Sequence, residues 1–367
     1  MSEFICSQKD LKKALELAYK AIPSRPTHLV LGNFLIDVTK TKVKVTAFDL
    51  SKYVSVSDIP SESHKPGSYT VPARLLIDLI KSLSGELRLT TDEKELKITS
   101  STGVYKILIA NADDYPAHPE LFGLTTLSLS PQVLLNGFKA VIYAGSKDET
   151  KQVLTGVNVC FDEQNLLLAA TDGHRLAALQ IPDLPTLETI ETTIPITALP
   201  LIMTGLETCL DDTVEMSISD RDIKFVISGN EFISRVLEGQ YPKYKQLIPS
   251  EFAGKIITDR KSLIEAVERA KLVSVKSTFT IESDTGNQVL IISGATTEVG
   301  SSVESLPAQT DIDLKFAANT TYLLDCLKSI KSEEIVLNLN TQTAPVIIYG
   351  IGESNCKHLI MPVQIRD

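Results

Sequence analysis

Residues 10–22, DLKKALELAYKAI, place Leu11, Ala14, Leu15, Ala18 and Ile22 three and four residues apart, with lysines and acids between them. One apolar stripe of this kind predicts an amphipathic helix with a single buried face. Further on, KVKVTAF alternates Val43, Val45 and Ala47 with Lys42, Lys44 and Thr46. A period of two predicts a strand whose sheet is buried on one side and wet on the other.

The same order of elements recurs. Leu31-Gly32-Asn33 and Leu154-Thr155-Gly156 open similar strand runs 123 residues apart. That offset carries Asp49, ending VKVTAFD, onto Asp172, ending LLLAATD, and Pro72 of YTVPARLLIDLIKSL onto Pro195 of TTIPITALPLIMTGL. Tyr115-Pro116 and Tyr241-Pro242 close the first two units, where proline ends regular structure because it has no N–H to donate. A third unit keeps the order with weaker identity: a helix over residues 260–273, strands in TFTIESD and QVLIISG, Pro307, a helix in TTYLLDCLKSI, and a last strand ending at Met361-Pro362. Helix, strands, helix, strands, three times over, predicts the α+β class with three similar domains. Their expected bounds are 1–122, 123–253 and 254–367.

Length agrees, since 367 residues exceed the ~250–300 that one core spans. No apolar run approaches the ~18–20 residues of a membrane helix. The N-terminal MSEFICSQKDLKK is charged rather than signal-like, so no membrane and a cytoplasmic location are expected. Cys6, Cys160, Cys209, Cys326 and Cys356 form no C-x-x-C pair, which predicts buried free thiols and neither metal nor cofactor.

The net charge of -10 repels a polyanion overall. The bases nevertheless gather on the opening helices. The first carries Lys9, Lys12, Lys13, Lys20 and Arg25 against Asp10 and Glu16; the second, Lys139 and Lys147; the third, Arg260, Lys261, Arg269, Lys271 and Lys276 against Glu265 and Glu268. In one helix, lysines on the wet face explain this as well. Repeated three times, a shared positive face would hold duplex DNA weakly, through phosphates alone and without sequence preference. Candidate DNA-facing residues are Arg25, Lys12, Lys13, Lys20, Arg74, Lys139, Lys147, Arg269 and Lys276. With 6% aromatic residues and no tryptophan, a stacking platform for single strands is not indicated.

The sharpest short motif is TDGHRLA, residues 171–177. As part of a hydrolase, Asp172 and His174 would need a nucleophile beside them, and no G-x-S-x-G elbow accompanies them. A conventional DNA-binding regulator would want a basic domain or a recognition helix; neither is visible. No enzymatic activity is expected.

TDGHRLA is similar to the signature of the bacterial DNA polymerase III beta subunit family, the beta sliding clamps. SRPTHLVLGN (24–33), VPARLLIDLI (71–80), YPKYKQLIPS (241–250), YLLDCL (322–327) and MPVQI (361–365) resemble further family landmarks in the family's order, along essentially the whole chain. The resemblance implies a head-to-tail homodimer closing a ring of six similar domains, with helices lining the hole and sheets forming the wall. Such a ring would encircle double-stranded DNA and act as a processivity factor. The family's interface positions fall on Tyr105, Ile107, Leu272 and Val273; for the last two, ordinary packing of their helix is the competing expectation.

The resemblance also implies a hydrophobic cleft for short peptides bearing a glutamine, an aliphatic residue and an aromatic. Its partners would be the DNA polymerase III alpha subunit, the clamp loader, and other DNA polymerases and repair proteins. The matching positions are Leu154, Thr171, Gly173, His174, Arg175, Leu176, Pro242, Leu247, Ile360, Met361, Pro362 and Val363. Met361 suits a surface that accommodates different side chains in turn, and Gly173 permits close backbone approach. His174 and Arg175 are expected at the rim, with a structural hydrogen-bonding role for His174 equally open. The chain departs from the family at Gln246, where many relatives carry arginine. It also departs in IPITAL (194–199), which lacks a base, and in Arg366-Asp367, which extend the end.

Overall fold

The computed structural model describes residues 2–57, 59–184, 189–274, 277–296 and 300–364. Among them are the helices α1 (Gln8–Tyr19), α2 (Ala73–Ser82), α3 (Pro131–Val141), α4 (Leu199–Glu207), α5 (Arg260–Leu272) and α6 (Thr320–Ser329). Side chains that satisfy otherwise unpaired amides begin three of them. Ser7 accepts from the Lys9 N–H at 3.2 Å, Asp259 from Ser262 at 2.7 Å, and Asn319 from Thr321 and Tyr322 at 2.9 and 3.2 Å. The first helix stops at Tyr19, short of the expected Ile22, and Ala21 and Ile22 close single turns onto Ala18 and Tyr19. Pro23 accounts for this, because the residue before a proline is pushed out of the helical region.

The contacts gather into two units. The first holds residues 1–135 and 197–236. It contains an antiparallel five-stranded sheet in the order Ser61–Lys65, Glu3–Ser7, Glu86–Thr91, Glu95–Thr99, Val104–Leu108. A nine-stranded sheet runs Ala110–Asn111, Gly67–Pro72, Asn33–Val38, Val43–Phe48, Lys52–Val56, Asn230–Arg235, Asp222–Ile227, Val214–Ile218, Thr125–Leu129. Helix α1 packs on α2, burying Leu11, Leu15, Leu76 and Ile80 completely. Each such side chain contributes about 1.5–3 kcal/mol.

The second unit holds residues 136–196 and 237–367. Its twelve-stranded sheet runs Ile190–Pro195, Gly156–Asp162, Asn165–Thr171, Arg175–Ile181, Cys356–Ile360, Val346–Gly350, Glu334–Leu339, Gly254–Asp259, Gly300–Thr310, Val289–Thr296, Thr278–Asp284, Leu314–Asn319. Helices α5 and α6 pack together over a core that includes Leu263, Val267, Phe279, Leu327 and Ile335.

The expected order of helix, strands, helix, strands is present in all three copies. The contact units cross the copy bounds, because strands pair from one copy to the next. Tyr53 of the first copy lies opposite Ile233 of the second, and Leu176 of the second opposite Leu359 of the third. Sheet continuity therefore divides the middle copy between the units.

Candidate functional site

The turn Asp172-Gly173-His174 lies between the strands Asn165–Thr171 and Arg175–Ile181 of the second unit. The Asp172 carboxylate accepts from the N–H groups of His174 and Arg175 at 2.9 and 3.0 Å, an Asx turn. Gly173 takes φ +93°, a left-handed conformation that favours glycine. Thr171 Oγ1 donates to the Arg175 carbonyl at 2.6 Å, and its N–H is accepted by the Tyr241 hydroxyl at 3.0 Å. The Tyr-Pro segment that ends the second copy is thus tied to the turn.

Arg175 departs from expectation. It lies beneath the rim, 7% exposed. Its Nε donates to Asp172 Oδ2 at 3.0 Å and its Nη1 to Asp325 Oδ2 at 2.7 Å. Its guanidinium carbon sits 4.7 Å from the centre of the Tyr322 ring and 5.3 Å from that of Tyr143. A guanidinium leaves water only where carboxylates and ring faces replace it, and here two of each do so. His174 stays exposed, its ring stacked on Tyr322 at 6.3 Å and 17°.

Around the turn, Ala169, Leu176, Tyr241, Tyr244, Ile347 and Leu359 form one buried cluster, with half-buried Val153, Leu154, Ile248 and Tyr349 packed against it. Leu247, Pro242 and Met361 are exposed. The Met361 N–H donates to the His174 carbonyl at 2.9 Å, fixing the chain end beside the turn. Of the predicted residues, Thr171 and Leu176 are buried beneath the turn, while Ile360 is buried in the interior of the last copy and offers no surface. Pro362 and Val363 turn away: Pro362 borders the interior of the last copy beside Phe316 and Leu323, and the Val363 N–H donates to Ala317.

Sequence reasoning missed Tyr143, Tyr322 and Asp325. Tyr322 and Asp325 stand three apart in YLLDCL, which puts them on one helical face and was the available signal. Tyr143 had none. Its hydroxyl lies 2.9 Å from Nδ1 of His358, whose Nε2 is 3.4 Å from the Cys356 sulfur. Burial pushes the His358 imidazole down to about 4 and the Tyr143 hydroxyl up. His358 is therefore neutral at physiological pH.

Asp172 and His174 make no acid–base pair: the carboxylate is occupied by two amides and a guanidinium, and the imidazole lies on a tyrosine. No cluster of His, Cys, Asp and Glu placed to hold a metal occurs among the described residues.

In the first unit Lys13, Lys20, Arg25 and Arg74 are exposed and Lys12 half-buried, and none joins an ion pair within the described residues. Lys139 and Lys147 are exposed. Arg269 forks onto Glu304 with two 2.7 Å bonds, which engages its charge locally. Lys276, Arg366 and Asp367 lie outside the described residues.

Val104–Leu108 is an edge strand. Ile107 points inward and is 4% exposed, so it offers no surface, contrary to expectation; Tyr105 is half-buried, and Val104 and Leu108 stand out. In the second unit Leu272 is 78% exposed, which excludes core packing for it, and Val273 is half-buried. The strand Gly300–Thr310 pairs along one side with Val289–Thr296, while on the other, among the described residues, only Ala308–Thr310 pair, with Gly254–Asp259. Its first half is open, and Val303 on it is exposed.

Three copies of one helix-and-sheet unit, their sheets continued from copy to copy, define the clamp class of fold. The chain belongs to the DNA polymerase III beta subunit family: the models of its N-terminal, central and C-terminal domains match residues 2–119, 128–243 and 245–364. It is 36% identical over 391 residues to the beta sliding clamp of Synechocystis sp., covering 99% of each chain. To that of Synechococcus elongatus it is 33% identical over 374 residues, covering 99% of this chain and 100% of the other. The crystal structure of the DNA polymerase sliding clamp of Bacillus subtilis matches with TM-score 0.92 and 25% identity, covering all of both chains. The chain is accordingly a sliding clamp, a processivity factor and not an enzyme. No helix among the described residues is long and apolar enough to cross a membrane.

Proposed function

We propose that two copies of this chain close head to tail in the cytoplasm into a ring around duplex DNA. Each copy would comprise domains 1–122, 123–253 and 254–367. The observation that carries this reading is a recurring strand pairing. Asn230–Arg235, the last strand of the second copy, joins Lys52–Val56 of the first, and Cys356–Ile360, the last of the third, joins Arg175–Ile181 of the second. By the same rule, the edge strand Val104–Leu108 near the end of the first copy, paired on one side only, fits the open half of Gly300–Thr310 in another chain. Exposed Val104, Leu108 and Val303 support that pairing, with Tyr105, Leu272 and Val273 beside it.

Lys12, Lys13, Lys20, Arg25, Arg74, Lys139 and Lys147 would touch phosphates loosely, which suits sliding: topology rather than affinity retains the ring. The cleft of Leu154, Gly173, His174, Pro242, Leu247 and Met361 would take peptide tails of the polymerase III alpha subunit, the clamp loader, and other polymerases and repair proteins. Gln246 supplies no charge at its edge.

The test is retention on nicked circular DNA after loading by a compatible clamp loader, before and after the circle is cut. Retention on the circle with loss from free ends supports the ring. Equal, salt-sensitive retention on both overturns it. For the cleft, Met361→Glu should abolish binding of a glutamine–aliphatic–aromatic peptide while the fold and dimer persist. Undiminished affinity would place the cleft elsewhere.

A further inference from the structure

The first unit contains a second cleft built on the same frame. The 123-residue offset carries Asp172-Gly173-His174-Arg175 onto Asp49-Leu50-Ser51-Lys52, and the geometry follows. Asp49 Oδ1 accepts from the N–H groups of Ser51 and Lys52 at 2.9 and 2.6 Å, as Asp172 does from His174 and Arg175. Lys52 pairs with Asp49 at 3.2 Å, as Arg175 pairs with Asp172. Leu50 adopts φ +72°, the left-handed conformation that its counterpart Gly173 takes without strain. The Arg235 N–H donates to the Ser51 carbonyl at 2.8 Å, matching Met361 on His174. Phe48, Tyr53, Tyr115 and Ile233 form the buried floor.

An open cleft of about 430 Å3 stands over this floor. Its lining differs from that of its counterpart in a consistent direction. The Leu50 side chain occupies the place that Gly173 leaves clear, and the Arg235 guanidinium replaces the Met361 thioether. Asp222, opposite Arg235 across the strand pair, adds a carboxylate, and Glu120 another. A wholly apolar peptide would have to strip water from these charges with nothing to replace it. The Asp222 carboxylate is half-buried and has no hydrogen-bond donor among the described residues; burial raises its pKa despite Arg235 and Arg221 nearby. The lining thus carries Glu120 and Asp222 against the Arg235 guanidinium, with Arg221 near Asp222 but outside the lining, and the Asp222 carboxylate, which has no donor among the described residues, is the group a ligand cation can satisfy.

We propose that this cleft is a second docking site, selective for an extended peptide that presents an apolar side chain to Tyr53 and Ile233 and, beside it, a lysine or arginine to Asp222 and Glu120. The comparison of frames rests on the reading of the second-unit cleft as a peptide site. The two sites then sort partners by chemistry, one taking uncharged apolar motifs and the other basic ones.

The probes are fluorescent acetyl-Leu-Lys-Phe-amide and its analogue with norleucine in place of lysine, followed by anisotropy. The lysine peptide should bind wild type and Met361→Glu alike, and weaken on raising salt. Glu120→Gln, an exposed change that leaves the fold intact, and Asp222→Asn should each weaken it about tenfold. The norleucine peptide should instead be lost in Met361→Glu and indifferent to both carboxylate variants. Lysine-peptide binding that vanishes in Met361→Glu, that ignores both carboxylate changes, or that fails to saturate at millimolar peptide overturns the second site. Norleucine-peptide binding insensitive to Met361→Glu instead overturns the reading of the second-unit cleft, while the carboxylate variants still decide this one.

Discussion

Arg175→Ala removes one side chain that joins the TDGHR turn to helix α6. Halving a buried ion pair costs about 3–5 kcal/mol when the remaining charge is stranded. Here the stranding is partial: Asp172 keeps two amide donors, and the Asp325 side chain is 39% exposed and can rehydrate. Charge-assisted hydrogen bonds contribute about 1.5–3 kcal/mol net, and guanidinium contact with two rings about 0.5–2. The expected loss is therefore near the lower bound, about 3 kcal/mol. Arg175→Lys restores charge without the planar fork and should recover about half of it. A chain with several cores need not unfold in one step, so the assay is native-state hydrogen exchange at residues 171–176 and in α6. A loss of that size speeds exchange there about a hundredfold and should loosen the His174–Tyr322 stack. Exchange altered less than about threefold in Arg175→Ala would refute the assignment of Arg175 as a buried strut.

Further outcomes follow from the same structure. His358 holds its proton less readily folded than unfolded, so stability should fall as pH drops below the unfolded value of about 6.5 and lose its full increment below about 4. That increment is about 3 kcal/mol, and a denaturation series across that window in wild type and His358→Asn, which should flatten the curve, checks it. Burial raises the thiols of Cys6 and Cys356 to about 12 and that of Cys326 further. Maleimide should therefore reach Cys209 and Cys160 in the native chain and the other three only after unfolding, as read by peptide mass. Gly173→Ala forces a side chain into φ +93° and should cost about 1–2 kcal/mol, seen as a lowered melting temperature; no change would mean the turn relaxes. Leu272→Glu should shift the dimer to monomer in sedimentation without altering the circular dichroism spectrum.

The repeat, the class and the turn at residue 172 were all legible because each rests on local pattern: period, offset, and an Asp-Gly pair that closes on its own amides. The burial of Arg175 was not, since Asp325 lies 150 positions away and only tertiary packing brings it to the guanidinium. VYKIL illustrates a second limit. Its alternation separates Val104, Lys106 and Leu108 from Tyr105 and Ile107, but the pattern does not say which set faces the core, and the structure turns Ile107 inward. Pro362 and Val363 came from the family resemblance, whereas here Pro362 borders the interior of the last copy and the Val363 N–H bonds the Ala317 carbonyl.

The open strand Val104–Leu108 is also a hazard for a chain that has not yet met its mate. An uncovered edge bearing apolar side chains is a template for indiscriminate strand addition and aggregation. Lys106 stands between Val104 and Leu108 on the same face, its ammonium held 2.7 Å from Glu95 Oε2. Any strand stacking flat against that face must bury a charge pair, whereas one joining edge to edge need not. The residue thereby acts as a gatekeeper, admitting the edge-to-edge pairing proposed above while discouraging the layered association from which precipitates grow.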